Sequence, residues 1–156
     1  MNRNMKAAVL FSLKNIKVVC CEIPTLKDDE VLIKVKYAGI CGSDIPRAMI
    51  TGARKYPLIL GHEFSGVVAE TGANVTEVKT NDRVVVVPLI PCGACECCKK
   101  GLFGICDDYN IIGTGSNGAF AEYVAVPQNN VLKIPDELDF MSSAGVEPAT
   151  IGYHAL

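Results

Sequence analysis

The chain has 156 residues and a net charge of −2, with 49% hydrophobic and 21% charged residues. That length holds one domain and not two, the apolar content excludes a disordered tail, and the slight negative charge argues against electrostatic binding of nucleic acid. Eight cysteines leave two physical explanations, a disulfide framework or a metal site. The N-terminal stretch Met1-Asn-Arg-Asn-Met5-Lys6 has no apolar export segment, and the longest apolar run, 84–90, is seven residues and contains Pro88. Both are far from a membrane span. A cytoplasmic chain with reduced thiols is therefore expected, with residues 1–5 disordered.

Short runs rich in valine and isoleucine, broken by Gly, Asp, Asn or Pro, predict strands over 6–11, 18–22, 30–40, 63–70, 82–88, 120–126 and 131–134. Val31-Leu-Ile-Lys-Val-Lys-Tyr37 alternates for part of its length, whereas Arg83-Val-Val-Val-Val-Pro88 is continuous and predicts burial on both faces. This spacing reads as a small barrel-like or sandwich-like β domain. A helix is expected over 136–145, between an acidic start and a glycine stop. A second begins after Pro148 and runs over 149–156 to the last residue, which predicts a following element.

Between the strands stands Cys92-Gly-Ala-Cys95-Glu-Cys97-Cys98-Lys-Lys-Gly-Leu-Phe-Gly-Ile-Cys106. Its C-x2-C-x2-C-x7-C spacing, Cys92, Cys95, Cys98 and Cys106, is a closed set of four thiolates within fifteen residues. Tetrahedral structural zinc takes such a set, and its filled coordination sphere leaves nothing for a substrate. Cys97 is the spare, although a swap between Cys97 and Cys98 stays open. Cys20 and Cys21 lie in an apolar strand and are expected to pack as small hydrophobes. Cys41, in Gly39-Ile-Cys41-Gly-Ser43-Asp44, follows a predicted strand, and twenty-one residues later comes Gly61-His62-Glu63. A cysteine, a histidine and a carboxylate at strand ends make a three-ligand zinc site with an open fourth position.

Gly61-His62-Glu63-Phe-Ser-Gly66, followed by Gly72 and Val75, is similar to the G-H-E-x2-G-x5-G-x2-V signature of zinc-containing alcohol dehydrogenases of the medium-chain dehydrogenase/reductase superfamily. Cys41-Gly-Ser-Asp44 and the four-cysteine lobe stand in the same order as in that family. The resemblance runs from about Lys6 to Leu156 and implies the N-terminal catalytic domain. That fold is mainly β, a GroES-like, partly open β-barrel with a few short helices and a zinc-binding lobe. The whole chain, 1–156, is then one such domain. Within the family the polyol dehydrogenase branch resembles it most, through Cys41-Gly-Ser-Asp-Ile-Pro-Arg47, Tyr56-Pro-Leu-Ile-Leu-Gly-His-Glu-Phe-Ser-Gly66, Val87-Pro-Leu-Ile-Pro-Cys92 and Gly118-Ala-Phe-Ala-Glu-Tyr123. The sorbitol and threonine dehydrogenases of the family usually carry a histidine where this chain has Pro46, so no role of that histidine carries over.

The resemblance implies an oxidoreductase that converts a secondary hydroxyl of a polyol or polyol phosphate to a ketone, with one catalytic and one structural zinc and NAD(P) as hydride acceptor. Cys41 and His62 are the implied catalytic zinc ligands, with Glu63 and Glu147 competing for the third place. Adjacent strand residues face opposite ways, so His62 and Glu63 meet one ion only if Gly61 bends the chain. Ser43 is implied in proton transfer. Arg47 is expected to bind substrate phosphate. Asp44 is expected to orient the loop or a ligand.

Gly113-Thr-Gly115-Ser-Asn-Gly118 spells G-x-G-x-x-G but precedes a strand-like run, so it is not a dinucleotide turn. Without a Rossmann domain the chain is expected to hold zinc and part of a substrate pocket and to be inactive alone. The family implies a homo-oligomer for the full-length enzyme and no nucleic-acid or membrane partner. The rival expectation is a zinc-stapled binding module with no catalytic metal.

Overall fold

In the computed structural model, which describes residues 3–156, the architecture is mostly β. Strands β1 (Asn4–Ser12) and β2 (Asn15–Glu22) form a hairpin, and β4 (Leu58–Ile59) pairs with the other edge of β1. The second sheet has the order β10-β6-β5-β3-β9, from β3 (Glu30–Gly39), β5 (Glu63–Thr71), β6 (Arg83–Val86), β9 (Tyr123–Pro127) and β10 (Val131–Lys133). A bridge between Ala7 and Ala121 joins the sheets, and register shifts between Leu32/Ile33 and Val35/Tyr37 bend the long β3–β5 pair. Bulges of this kind increase local twist, and here they curl the sheet into a half-barrel.

The core lies inside that curl. Val31, Ile33, Phe64, Val68, Val84, Val86, Val124 and Val126 form one cluster. Val84, Val85 and Val86 are all buried, but the expectation for the whole run is corrected at Val87, which lies beyond the end of β6 and is 42% exposed. Val31, Leu32 and Ile33 are also all buried, so alternation in β3 begins only at Lys34. The expectation of a disordered 1–5 is corrected from Asn4 onward: Asn4 pairs with Glu22, and Met5 is buried against Ala7, Val9 and Ile59. Residues 1 and 2 lie outside the described residues. Cys21 packs against this cluster, whereas Cys20 points the other way and is exposed.

Among the described residues four short helices decorate the sheets: α1 (Asp44–Met49), α2 (Glu96–Lys99), α3 (Phe140–Ala144) and α4 (Val146–His154). Helix α3 starts later than expected. The carbonyls of Pro135, Asp136 and Leu138 accept hydrogen bonds from Arg83 and are held out of a helix, and Asp139 caps the first turn by accepting from Ser142 N–H at 2.9 Å. Helix α4 starts earlier than expected, with Pro148 inside its first turn, where a missing N–H breaks no bond. Buried Ser65 of β5 donates to Phe140 O at 2.5 Å and ties α3 to the sheet, which sets where α4 begins. None of the helices among the described residues is long and apolar enough to cross a membrane.

Candidate metal centres and substrate pocket

The lobe runs from β7 (Leu89–Ile90) through α2 to β8 (Asn110–Ile111), with a 3-10 turn at Phe103–Ile105. Its Cys92, Cys95, Cys98 and Cys106 sulfurs all lie within 4.8 Å of one another. Cys92 Sγ is 3.9 Å from Cys98 Sγ, and Cys95 Sγ is 4.0 Å from Cys106 Sγ. A tetrahedron with zinc–sulfur bonds of about 2.3 Å places its sulfurs ~3.8 Å apart, so the donor set fits that ion. Backbone N–H groups turn toward the sulfurs: Cys95 N–H to Cys92 Sγ at 3.4 Å, Cys98 N–H to Cys95 Sγ at 3.4 Å and Cys92 N–H to Cys106 Sγ at 3.2 Å. Donors from the Asp107 and Cys98 backbone lower the Cys95 thiol to about 6, while burial pushes the Cys98 thiol up to about 12. The same kind of donation, from the Ala94 and Cys95 N–H groups, lowers the Cys92 thiol. Cys97, next to Cys98 on the short helix, stays outside the set.

The second group is assembled by three turns. Cys41 sits between β3 and α1, and Asp44 holds that turn by accepting from Cys41 N–H at 3.1 Å. Gly61 has φ +95°, which bends the chain just before β5. His62 is therefore not a strand residue, and the face-alternation problem disappears. Glu63 opens β5 opposite Gly39, where any Cβ would collide with Glu63 Oε2. Glycine at 39 leaves room for the carboxylate. One ligand atom each from Cys41, His62 and Glu63 lies within 4.8 Å of the other two. His62 Nδ1 is buried with no hydrogen-bond partner among the described residues, and Asp44 Oδ1 stands 3.7 Å from it. A buried imidazole beside a thiol and a carboxylate fits a divalent ion, and Asp44, facing the Nδ1 side of the ring, is placed to orient it so that the other ring nitrogen is left for the ion. Burial raises the Asp44 carboxyl, against the opposing pull of His62, the Cys41 N–H and Arg47.

Glu147, in the first turn of α4, is not part of that tight group. It lines a cavity of about 220 Å³ together with Ser43, Arg47, His62, Pro88, Leu89, Ile111 and Thr114. Burial raises its carboxyl; His62 opposes this and Glu63 adds to it. Ser43 Oγ lies 3.3 Å from Cys41 Sγ. Arg47 Nη1 donates to Ser43 O at 3.3 Å and to Asp44 Oδ1 at 3.4 Å. Of the site residues expected from the sequence, Ser43, Arg47, His62 and Glu147 line this cavity, Cys41 and Glu63 group with His62, and the four cysteines form the lobe. Thr114 was not anticipated; it belongs to the glycine-rich stretch that failed as a dinucleotide turn. A larger groove of about 620 Å³ between β1–β2 and β9 is mainly apolar and lies away from both ligand groups.

Residues 27–136 match the alcohol dehydrogenase GroES-like domain. Over 152 residues the chain is 41% identical to galactitol 1-phosphate 5-dehydrogenase of Escherichia coli (strain K12), covering 97% of this chain and 44% of that protein. The crystal structure of the Escherichia coli galactitol-1-phosphate dehydrogenase superimposes with a TM-score of 0.93 at 41% identity over 97% of this chain and 44% of that one. Sorbitol dehydrogenase of Bacillus subtilis (strain 168) is 41% identical over 158 residues, 98% of this chain and 45% of the relative. The chain therefore spans less than half the length of the curated relatives it matches. A zinc-binding dehydrogenase structure from Sinorhizobium meliloti 1021, bound to NADP, superimposes with a TM-score of 0.91 at 38% identity over 97% of this chain and 44% of that one. By its match to the family model over residues 27–136 and its identity to these relatives, the chain belongs to the alcohol dehydrogenase GroES-like domain family, of the zinc type.

Proposed function

We propose that this chain is the zinc-binding catalytic domain of a cytoplasmic dehydrogenase that converts a secondary alcohol of a polyol or polyol phosphate, with NAD(P)⁺, into a ketone, NAD(P)H and a proton. The observation that carries this reading is the convergence of Cys41, His62 and Glu63 on one point beside a cavity. Cys92, Cys95, Cys98 and Cys106 hold the structural ion. Cys41, His62 and Glu63 would hold the catalytic one, and Glu147, which lines the same cavity as His62, would add a further carboxylate beside it. An ion bound there supplies Lewis acidity toward a substrate oxygen.

The protein's own groups do the rest. Ser43, beside Cys41 and lining the cavity, accepts the alcohol proton and passes it outward. Asp44 fixes the His62 ring and the Cys41 turn. Pro88, Leu89 and Ile111 keep the wall dry, which strengthens every polar contact inside. The nicotinamide is held by a domain outside these residues, and the whole enzyme is a homo-oligomer.

Galactitol 1-phosphate is the phosphorylated substrate this reading favours. Arg47 then anchors its phosphate, since its Nη1 is held by Ser43 and Asp44 and the residue lines the cavity. A hydrogen bond to a charged group contributes about 1.5–3 kcal/mol. In a protein that carries this chain together with a nicotinamide-binding domain, Arg47→Ala is therefore expected to raise KM for galactitol 1-phosphate roughly 10- to 100-fold while leaving KM for galactitol unchanged. Steady-state kinetics with the two substrates checks this, and an unchanged KM for the phosphate ester removes Arg47 from the assignment.

A further inference from the structure

The stretch Gly113–Gly118 spells a phosphate-binding turn, and its geometry gives it another use. Its backbone N–H groups are already spent: Thr114 and Gly115 N–H donate to Ile111 O, Gly113 N–H to Ser116 O, and Gly118 N–H to Ile59 O. The loop is clamped to the turn that carries His62. Ala119 N–H donates to Gly61 O at 2.9 Å, and a Cβ at Gly113 or Gly118 would strike the Gly61 backbone. Asn110 adds a staple, donating through Nδ2 to Ser116 Oγ at 3.0 Å and accepting from Ile111 N–H at 2.9 Å. Thr114 is thereby held at a fixed place relative to His62, as a precise binding site requires.

Thr114 is half-buried, lines the cavity with Ser43, Arg47 and His62, and its hydroxyl makes no hydrogen bond among the described residues. The neighbouring hydroxyl, Ser116 Oγ, has its partner in Asn110. A hydroxyl kept free at the rim of a cavity with an apolar Pro88–Leu89–Ile111 wall matches a carbon chain that bears more than one hydroxyl.

We propose that Thr114 is a specificity-determining residue that hydrogen-bonds a second hydroxyl of the substrate and so selects polyols over simple secondary alcohols. This rests on the alcohol-dehydrogenase reading of the Cys41–His62–Glu63 site. A site with a polar group reserved for a substrate hydroxyl penalises an analogue that lacks it, because the group is left unpaired.

The test is a spectral titration of the cobalt-loaded chain, whose visible bands respond when an alcohol reaches the ion, with sorbitol and with 2-butanol. Thr114→Val, which removes the hydroxyl and keeps the shape, is expected to weaken sorbitol about three- to tenfold and to leave 2-butanol unchanged. Thr114→Ser should restore wild-type sorbitol binding. Equal sorbitol affinity in wild type and Thr114→Val overturns the proposal, as does parallel loss of both alcohols, which marks a purely structural role. If the wild-type chain responds to neither alcohol, the alcohol-binding reading of the site itself fails, a result distinct from failure of Thr114 alone.

Discussion

Cys106→Ser is expected to release the lobe metal and unfold the lobe while leaving the half-barrel folded. Regular structure in the lobe amounts to two two-residue strands, a four-residue helix and a three-residue 3-10 turn, all too short to persist alone. Its larger apolar side chains do not supply a core: Leu102, Phe103 and Ile105 are 50–64% exposed. Metal ligation is what remains, and structural zinc contributes on the order of 10–16 kcal/mol of apparent folding free energy in small sites. Cys106 closes the ring from the far end of the lobe and is itself buried. Its loss leaves three thiols and an open coordination position. The expected readout is one zinc fewer per chain, with rapid proteolysis after Lys99 and Lys100 and a sheet signal in circular dichroism that survives. A variant that keeps its full metal content and its protease resistance would refute the structural role.

The second large effect concerns the other group. His62→Ala is expected to remove one zinc per chain, to keep the lobe zinc, and to abolish alcohol oxidation in a protein that also carries a nicotinamide-binding domain. Cys41 and Glu63 alone offer two ligand atoms, fewer than the three protein ligands a catalytic zinc uses. His62 is buried against Asp44, so the substitution also costs packing; loss of one zinc while the metal-free protein still melts cooperatively and the lobe keeps its zinc separates ligation from unfolding. Zinc content unchanged in His62→Ala would place the second ion elsewhere.

The reach of the sequence differed from one element to the next. The continuous valines of β6 and the C-x2-C-x2-C-x7-C spacing carry their structures plainly, because local burial and ligand spacing need no long-range information. The choice between Cys97 and Cys98 depended on which side of a four-residue helix faces the other sulfurs, and it is Cys98, 3.9 Å from Cys92 Sγ, that does so. The choice between Glu63 and Glu147 hung on the Gly61 bend. With φ at +95° the bend lets His62 and Glu63 approach one another beside Cys41, while Glu147 lines the cavity with His62.

Helix α1 and strands β4, β7 and β8 escaped notice because six residues, or two, are too few for a period to register. The delay of α3 to Phe140 came from Arg83, some fifty residues earlier in sequence, which takes the carbonyls that a helix from Asp136 would have used. Thr114 gave no signal at all. Its place in the pocket follows from glycine-to-glycine packing between the 113–118 loop and Gly61, a contact that spacing within one stretch of sequence does not encode.

The central claim is that one small β domain carries two distinct zinc sites, one that holds a lobe together and one that faces a substrate cavity. Metal analysis of the purified, zinc-equilibrated and dialysed chain tests it most directly. Two zinc ions per chain are expected, falling to one in either Cys106→Ser or His62→Ala. A wild-type chain that binds one ion, lost in Cys106→Ser and untouched in His62→Ala, would contradict it and leave a metal-stapled binding module in place of a catalytic domain.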